Sequence, residues 1–343
     1  MILIRTDANS IVATGHLMRC LSLADALKEY TREDIVFCMA DKSGVNIAKD
    51  RGYRVIMADG CWDDLTKEKE SIIRIIKENN VSLLIVDSYY VSAEYFEYVS
   101  LYTNTVYIDD RNAEKYKCDL LVNYSVYAKD MGYYELYKES QLLLGSQYAP
   151  LRKQFENVSV HEFNEPLKKV LILSGGTDTY NFLSQITKSI VEKDSSIHIT
   201  VISGNMNNYY DELKKISDTY ENVNVLSYVS EMAKYMCDAD IAISACGTTI
   251  YELCACGTPM VGYGWTDNHK FNLDKYDRDK LMIWSGDLRD GVDSCVKNCT
   301  DNTFALLGNA ERCREISCIQ QSTVKGNGAK NMAEYIYNKF YVS

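Results

Sequence analysis

The sequence contains little proline, with three residues in 343. Proline-rich linkers and long disordered segments are therefore not expected. It also contains no run of about 18 apolar residues, so no membrane-spanning helix and no membrane partner are predicted. The first residues, Met1 to Asp7, read as a short strand and lack the apolar core of a signal peptide. We therefore expect a cytoplasmic protein.

Basic residues are outnumbered by acidic ones, 37 to 48, and the formal net charge is −11. A strongly acidic chain gains nothing from non-specific attraction to nucleic acid, so no nucleic-acid partner is predicted. If the ligand carries phosphate, local groups must hold it against the overall charge. Backbone N–H groups at helix N-termini and glycine-rich turns can do this.

Signatures of metals and cofactors are missing as well. The densest group of the twelve cysteines is Cys295, Cys299, Cys313 and Cys318, and it has no Cys-x2-Cys pair of the zinc-binding kind. We predict no metal, and reduced thiols packed in helices. The first predicted strand is followed neither by G-x-G-x-x-G nor by a P-loop lysine. This argues against a dehydrogenase or NTPase, and no cofactor is predicted.

Short β-rich apolar runs alternate with amphipathic helical stretches, a pattern that predicts an α/β protein with mostly parallel sheets. The alternation lapses around 151–167 and then restarts. We therefore predict two Rossmann-like domains, at 1–155 and 168–325, with a last helix within 326–343 that packs back on the first domain. The predicted strands are Met1–Arg5, Ile35–Ala40, Arg54–Met57, Ser82–Val86, Thr105–Ile108, Leu120–Asn123, Val170–Ser174, Ile197–Ser203, Val223–Leu226, Ile241–Ser244 and Met260–Tyr263.

Open α/β sheets bind ligands at the carboxyl ends of their strands, and two such domains usually bind them in the cleft between the domains. In the first domain, His16 follows Thr14-Gly15 at the predicted start of a helix. The helix dipole disfavours a protonated imidazole there, which suits a general base. Spacing alone leaves this role and simple helix capping equally open. Asp87-Ser88-Tyr89 and Asp109-Asp110 follow two later strands.

In the second domain, Gly175-Gly176-Thr177 forms a glycine-rich turn after the first strand. Gly247-Thr248-Thr249 opens a helix whose free N–H groups can bind a diphosphate. Glu252, one turn further on, either accepts hydrogen bonds from ribose hydroxyls or is a surface glutamate. Asn268 follows the next strand, at a predicted edge of the cleft.

These residues resemble a known family, the pseudaminic-acid pathway nucleotide-sugar hydrolases with the related spore-coat polysaccharide proteins. Both are similar to the MurG-type glycosyltransferases of the GT-B fold. The matching residues extend over about 3–272. The motifs are Arg5-x-Asp7, Gly15-His16-x-Met18-Arg19-Cys20-Leu21, Asp87-x-Tyr89, Ile108-Asp109-Asp110, Cys118-Asp119-Leu120-Leu121, Leu144-Gly145, Gly175-Gly176-Thr177-Asp178, and Glu252 with Gly257-Thr258-Pro259 and Asn268.

The resemblance implies hydrolysis of a UDP-linked 2,4-diacetamido-2,4,6-trideoxyhexose to UDP and the free amino sugar. It implies that His16 is catalytic, and that UDP binds the second domain. It makes Arg5, Asp7, Gly15 and Tyr89 candidate substrate-binding residues in the first domain. The second domain contributes the candidates Gly175, Gly176, Thr177, Gly247, Thr248, Thr249, Glu252 and Asn268. The sequence departs from the family at His269, where glutamine is usual, and at Arg111, where leucine is usual.

Under this hypothesis His16 activates water, which attacks the anomeric carbon opposite UDP and inverts it. Two alternatives stay open: a GT-B glycosyltransferase that uses an acceptor hydroxyl, and a nucleotide-sugar-binding subunit without activity. A lipid-acting transferase would carry a basic, apolar membrane patch, and the sequence contains none. The sequence gives no signal for an oligomeric state.

Overall fold

The structure, a computed structural model, describes residues 1–9, 11–159, 161–174, 177–204, 207–265 and 280–342. The chain divides into two compact units. Unit 1 comprises Met1–Lys153 and Asn327–Ser343, and unit 2 comprises Gln154–Gly326. Each unit is built around one parallel sheet with helices, which confirms the predicted α/β class with two Rossmann-like domains. Among the described residues, no helix combines the length and apolarity that crossing a bilayer requires.

Unit 1 contains a seven-stranded sheet in the order β3-β2-β1-β4-β5-β6-β7. Five of its strands are buried along their whole length, and a fully buried parallel sheet requires such continuous apolar runs. The strands are Ile2–Thr6 (β1), Ile35–Met39 (β2), Arg54–Met57 (β3), Leu83–Asp87 (β4), Asn104–Ile108 (β5), Leu120–Asn123 (β6) and Leu142–Leu144 (β7). The helices before the junction are Gly15–Leu27 (α1), Val45–Asp50 (α2), Lys69–Glu78 (α3), Ala93–Val99 (α4) and Tyr133–Leu136 (α5).

Helix α3 shows how the pattern of apolar residues builds unit 1. Ile72, Ile75 and Ile76 recur at helical spacing and are buried in the core on the sheet. A short 3-10 turn, Leu65–Glu68, leads directly into this helix and buries Leu65 and Glu68. The buried glutamate needs a partner, and its partner lies at the site described below.

Unit 2 contains a six-stranded parallel sheet in the order β10-β9-β8-β11-β12-β13. The core includes Phe182 and Tyr263, whose ring centroids are 4.1 Å apart. The strands are Lys169–Leu173 (β8), His198–Ile202 (β9), Val223–Leu226 (β10), Ile241–Ala245 (β11), Met260–Gly264 (β12) and Ile283–Asp287 (β13). The described helices are Phe182–Lys193 (α6), Tyr210–Thr219 (α7), Met232–Asp238 (α8), Thr249–Cys256 (α9), Val292–Leu307 (α10) and Ala310–Thr323 (α11).

Gly257 ends α9 in the left-handed conformation, with φ of +68°, as the Gly-Thr-Pro sequence predicts. A Cβ added at this position would lie 2.5 Å from Ser317 Oγ, so both the backbone and the packing require glycine.

The last helix, Gly328–Tyr341 (α12), belongs to unit 1 and packs along α1. Its buried face includes Met332 and Ile336. Tyr341 Oη lies 2.9 Å from Ser82 Oγ, and the Asn331 amide donates to the Gln147 carbonyl over 2.8 Å. At Gly328 a Cβ would come within 2.1 Å of the Ala149 carbonyl oxygen, so the start of the helix depends on glycine.

Candidate functional site

The carboxyl edge of the unit 1 sheet gathers the polar residues that follow β1, β4, β5 and β6, four neighbouring strands. His16 is the second residue of α1, the helix that follows β1. Asp87 is the last residue of β4 and lies beside Thr6 of β1 in the strand register. Helix and strand therefore bring together two side chains that are 71 positions apart in the sequence.

His16 and Asp87 form a buried pair. His16 Nδ1 lies 2.6 Å from Asp87 Oδ1, and both side chains are almost inaccessible to solvent. An ionised carboxylate only accepts hydrogen bonds, so the Asp87 contact favours the tautomer with the proton on Nδ1; Arg19 Nη2 also lies 3.0 Å from this nitrogen. No hydrogen bond joins Nε2 to the residues that the structure describes. The Tyr89 ring packs edge-on against the imidazole, with centroids 4.3 Å apart.

Arg19 lies one turn beyond His16 on α1 and holds the Asp87 carboxylate at both oxygens. Its Nε donates to Oδ2 over 2.6 Å and its Nη2 to Oδ1 over 2.5 Å. Nη1 donates to Asp110 Oδ2 over 2.9 Å and to Tyr124 Oη over 2.5 Å. Burial would raise the pKa of Asp87, but Arg19 and then His16 outweigh it and hold that pKa well below its usual range.

Arg5 and Asp7 are held in a second buried network. The Arg5 guanidinium has no exposed surface and donates to both Glu68 oxygens, over 2.7 and 2.8 Å, and to Asp7. Asp7 Oδ1 in turn accepts the backbone N–H groups of Ala40 and Asp41, each over 2.8 Å. The Arg5 donors therefore face protein carboxylates, and Arg5 fixes the loop after β1.

A small pocket opens beside this network. Asp7 and His16 both line it. The residues around the pocket are Asp7, Val12, His16, Trp62, Asp87, Ser88, Tyr89 and Tyr90. Gly15 begins α1 beside His16, and a Cβ added there would meet nothing within 4 Å. Open space over a helix N-terminus is compatible with close approach of a ligand.

Asp109 and Asp110 follow β5 and have separate environments. Asp109 accepts the Tyr133 hydroxyl over 2.7 Å and the backbone N–H groups of Arg111 and Asn112, so it braces its own loop. Burial raises the pKa of Asp109. Asp110 instead accepts a hydrogen bond from Arg19, so this cation lies between two carboxylates.

In unit 2 the predicted nucleotide residues belong to loops after β8, β11 and β12, three neighbouring parallel strands. Thr248 is the N-cap of α9, and the half-exposed Glu252 lies in the first turn of that helix. Among the described residues, no backbone carbonyl accepts the N–H groups of Thr248 and Thr249, whereas the Gly247 N–H bonds to the Ala245 carbonyl over 2.9 Å.

Of the predicted glycine-rich turn after β8, only Thr177 is described. Thr177 is half-buried, and Asp178 caps α6 by accepting the N–H groups of Phe182 and Leu183 over 2.8 and 2.9 Å. The remaining predicted residues, Gly175, Gly176, Asn268 and the neighbouring His269, lie outside the described residues.

The roles of Arg19, Asp110 and Tyr124 were not predicted from the sequence, and Asp87 was identified as a polar residue after a strand and within a motif, without a role. A signal for Arg19 does exist, since a residue three positions after His16 shares its helix face. Tyr124 follows β6 with no distinguishing pattern, and only the sheet order brings it to Arg19. In the described part of the chain, no three His, Cys, Asp or Glu side chains are grouped to hold a metal ion, and all twelve cysteines are free thiols.

Comparison with known proteins gives one family match. The model of the glycosyltransferase family 28 C-terminal domain matches residues 170–270, which lie within unit 2. Among curated proteins, an uncharacterized protein of Methanocaldococcus jannaschii is 26% identical over 272 residues, which are 76% of this chain and 54% of that protein. The chain thus spans about half the length of that relative.

A second relative is the UDP-2,4-diacetamido-2,4,6-trideoxy-beta-L-altropyranose hydrolase of Campylobacter jejuni. It is 28% identical over 254 residues, covering 73% of this chain and 86% of that protein. Among solved structures, MurG of Acinetobacter baumannii superposes with a TM-score of 0.72 over 98% of this chain and 99% of its own, at 13% identity. These findings confirm the predicted fold: the chain has the two Rossmann-like domains of a GT-B protein.

Proposed function

We propose that this chain is an enzyme that hydrolyses a UDP-sugar at the anomeric carbon, with His16 as the general base. The observation that supports this most directly is the buried Asp87–His16 pair, which holds the imidazole by Nδ1 and leaves Nε2 without a partner among the described residues. A histidine that merely capped the helix would not need a carboxylate behind its ring.

In the proposed reaction Nε2 accepts a proton from water while the water oxygen bonds to the anomeric carbon. The bond between that carbon and the UDP oxygen breaks, and UDP leaves with the electron pair. Attack opposite the leaving group inverts the anomeric centre. General-base assistance of this kind accelerates reactions about 10²- to 10⁴-fold. Asp87 stabilises the imidazolium that forms, and Arg19 fixes Asp87.

Unit 2 is proposed to bind UDP. The N–H groups of Thr248 and Thr249 at the start of α9 would donate to the diphosphate, and Glu252 would accept the ribose hydroxyls. Gly175, Gly176, Thr177, Gly247 and Asn268 complete the proposed set. The match of residues 170–270 to a glycosyltransferase C-terminal domain supports this assignment.

The proposed substrate is a UDP-linked 2,4-diacetamido-2,4,6-trideoxyhexose, and the proposed pathway leads to pseudaminic acid. The relative from Campylobacter jejuni, which is named for hydrolysis of such a compound, supports this choice. Catalysis by this chemistry needs no cofactor, and we place the enzyme in the cytoplasm, where nucleotide sugars are made.

The test is incubation of the full chain with this UDP-sugar and no acceptor. We expect release of UDP in proportion to enzyme, and ¹H NMR should first detect the free sugar as the anomer inverted from the substrate. Absence of UDP release under these conditions would contradict the hydrolase proposal.

A GT-B glycosyltransferase is the second candidate, because the matched family model is that of a glycosyltransferase domain. His16 would then activate an acceptor hydroxyl in place of water. This alternative predicts that UDP release requires an acceptor sugar or lipid. The same assay with and without such acceptors separates the two reactions.

A further inference from the structure

Two aromatic side chains that the proposed mechanism does not use lie beside His16. Trp62 and Tyr90 both line its pocket, and their rings meet edge-to-face with centroids 5.3 Å apart. Tyr90 is 39% exposed and Trp62 is half-buried. Large aromatic side chains normally gain stability by burial, so two incompletely buried rings beside a pocket suggest a surface that contacts a ligand.

These rings are held by the backbone around them. The Leu65 N–H donates to the Tyr90 carbonyl over 3.3 Å, which ties the Trp62 segment to the loop after β4. The Tyr90 N–H donates to Ser88 Oγ over 3.1 Å. The Trp62 segment continues into the turn that contains Glu68, which the bidentate ion pair with Arg5 anchors.

The pocket therefore has two chemically different kinds of lining. Asp7 and His16 are polar, whereas Trp62 and Tyr90 are large aromatic side chains. A fully hydroxylated sugar would lose hydration against such a surface without recovering hydrogen bonds. A sugar whose C6 is a methyl group would gain from the contact.

We propose that Trp62 and Tyr90 form an aromatic wall that selects a UDP-sugar with a C6 methyl group over one with a C6 hydroxyl group. This inference rests on the proposed function, because it takes the sugar at His16 as the occupant of the pocket. It assigns specificity to two residues outside the set identified from the sequence.

The test uses two UDP-sugars that differ by one oxygen: the 2,4-diacetamido-2,4,6-trideoxyhexose and its counterpart with a C6 hydroxyl. For each we would measure kcat/KM of UDP release, and Kd by calorimetry. The wild-type chain should prefer the C6-methyl compound about tenfold or more, as apolar pockets discriminate single groups. Trp62→Ala and Tyr90→Ala should bring this ratio close to one, mainly through KM.

Matched variants separate specificity from structural effects. Trp62→Phe and Tyr90→Phe keep an aromatic ring and should retain most of the preference. Tyr102→Ala removes a comparably exposed ring of the same unit, outside the pocket, and should leave the ratio unchanged. The Kd of UDP alone should not change in any of these variants.

The outcomes for the wall and for the hydrolase proposal can be distinguished. If the wild-type chain cleaves the sugar and both alanine variants keep the wild-type ratio, the aromatic wall is wrong and the hydrolase proposal stands. If it binds both compounds without cleaving them, the hydrolase proposal fails, and the Kd ratios of the variants decide for or against the wall. If neither compound binds more tightly than UDP, the wall is overturned.

Discussion

The carboxyl edges of the two sheets have contrasting chemistry. In unit 1 the edge buries ionised side chains, with Arg5 between Glu68 and Asp7 and Arg19 between Asp87 and Asp110. In unit 2 the described residues of the loops after β8 and β11 are small or carry hydroxyl groups, and the charged one, Asp178, caps α6. The same topology therefore supports two different kinds of site.

This contrast follows from the cost of burying charge. An ionised side chain is stable in a protein interior only with partners at close range, so the network in unit 1 is fixed in one geometry. Such rigidity suits a group that must hold a proton acceptor in place. Backbone N–H groups at a helix start bind an anion without adding a cation, which suits a ligand site in an acidic chain.

The largest expected effect is a loss of turnover when a unit 1 residue, His16, is replaced. His16→Ala should lower kcat of UDP release about 10²- to 10⁴-fold, because the general base is lost, while the Kd of UDP stays near the wild-type value. His198→Ala, at an exposed position of unit 2, serves as the control and should change neither quantity. Near wild-type turnover by His16→Ala would exclude His16 as the base.

The next effect is on stability. Arg5→Met should lower the free energy of unfolding by about 3–5 kcal/mol, because it leaves Glu68 and Asp7 buried without their cation. Arg54→Met breaks the exposed pair with Asp34 and should cost less than about 1 kcal/mol. Urea titrations followed by tryptophan fluorescence would measure both. If both variants lost the same free energy of unfolding, the burial of the Arg5 ion pairs would not add to their contribution to stability.

A substitution in unit 2 should change the affinity for the nucleotide. We expect Glu252→Gln to weaken UDP binding about tenfold, since a charged acceptor of hydroxyl groups contributes about 1.5–3 kcal/mol and the amide retains part of it. Glu192→Gln, on an exposed face of α6, is the matched control and should have no effect. Calorimetric titration with UDP would measure both. An unchanged Kd for Glu252→Gln would contradict the proposal that Glu252 binds the ribose hydroxyls.

The smallest expected effect is on the free energy of unfolding at acidic pH. The pKa of Asp87 is lowered on folding, so its contribution to stability is complete above the ordinary aspartate pKa of about 3.9 and is lost as pH falls toward the folded value. Between pH 5 and 3 the wild-type chain should therefore lose about 1 kcal/mol more than Asp87→Asn. Parallel curves of unfolding free energy against pH would show that Asp87 is not stabilised in this way.

Much of the fold follows from local pattern. The alternation of apolar runs and amphipathic stretches predicts both parallel sheets, and Gly257 marks the end of α9 because only glycine adopts its conformation without strain. Of the site, His16 was identified from a strand-to-helix turn and from motif resemblance. The motif that contains Arg5 does not reveal that the buried Glu68 is the partner of its guanidinium.

The sequence by itself determined the two α/β units and the turns that follow their strands, because strand and helix periodicity are local properties of the chain. The tertiary structure decided which of those turns meet. Sheet order brings Asp87, Asp110 and Tyr124 to Arg19 although the chain separates them by up to 105 positions. Long-range pairing of buried charges leaves no periodic trace in a sequence, so the partner of His16 became visible only in the folded sheet.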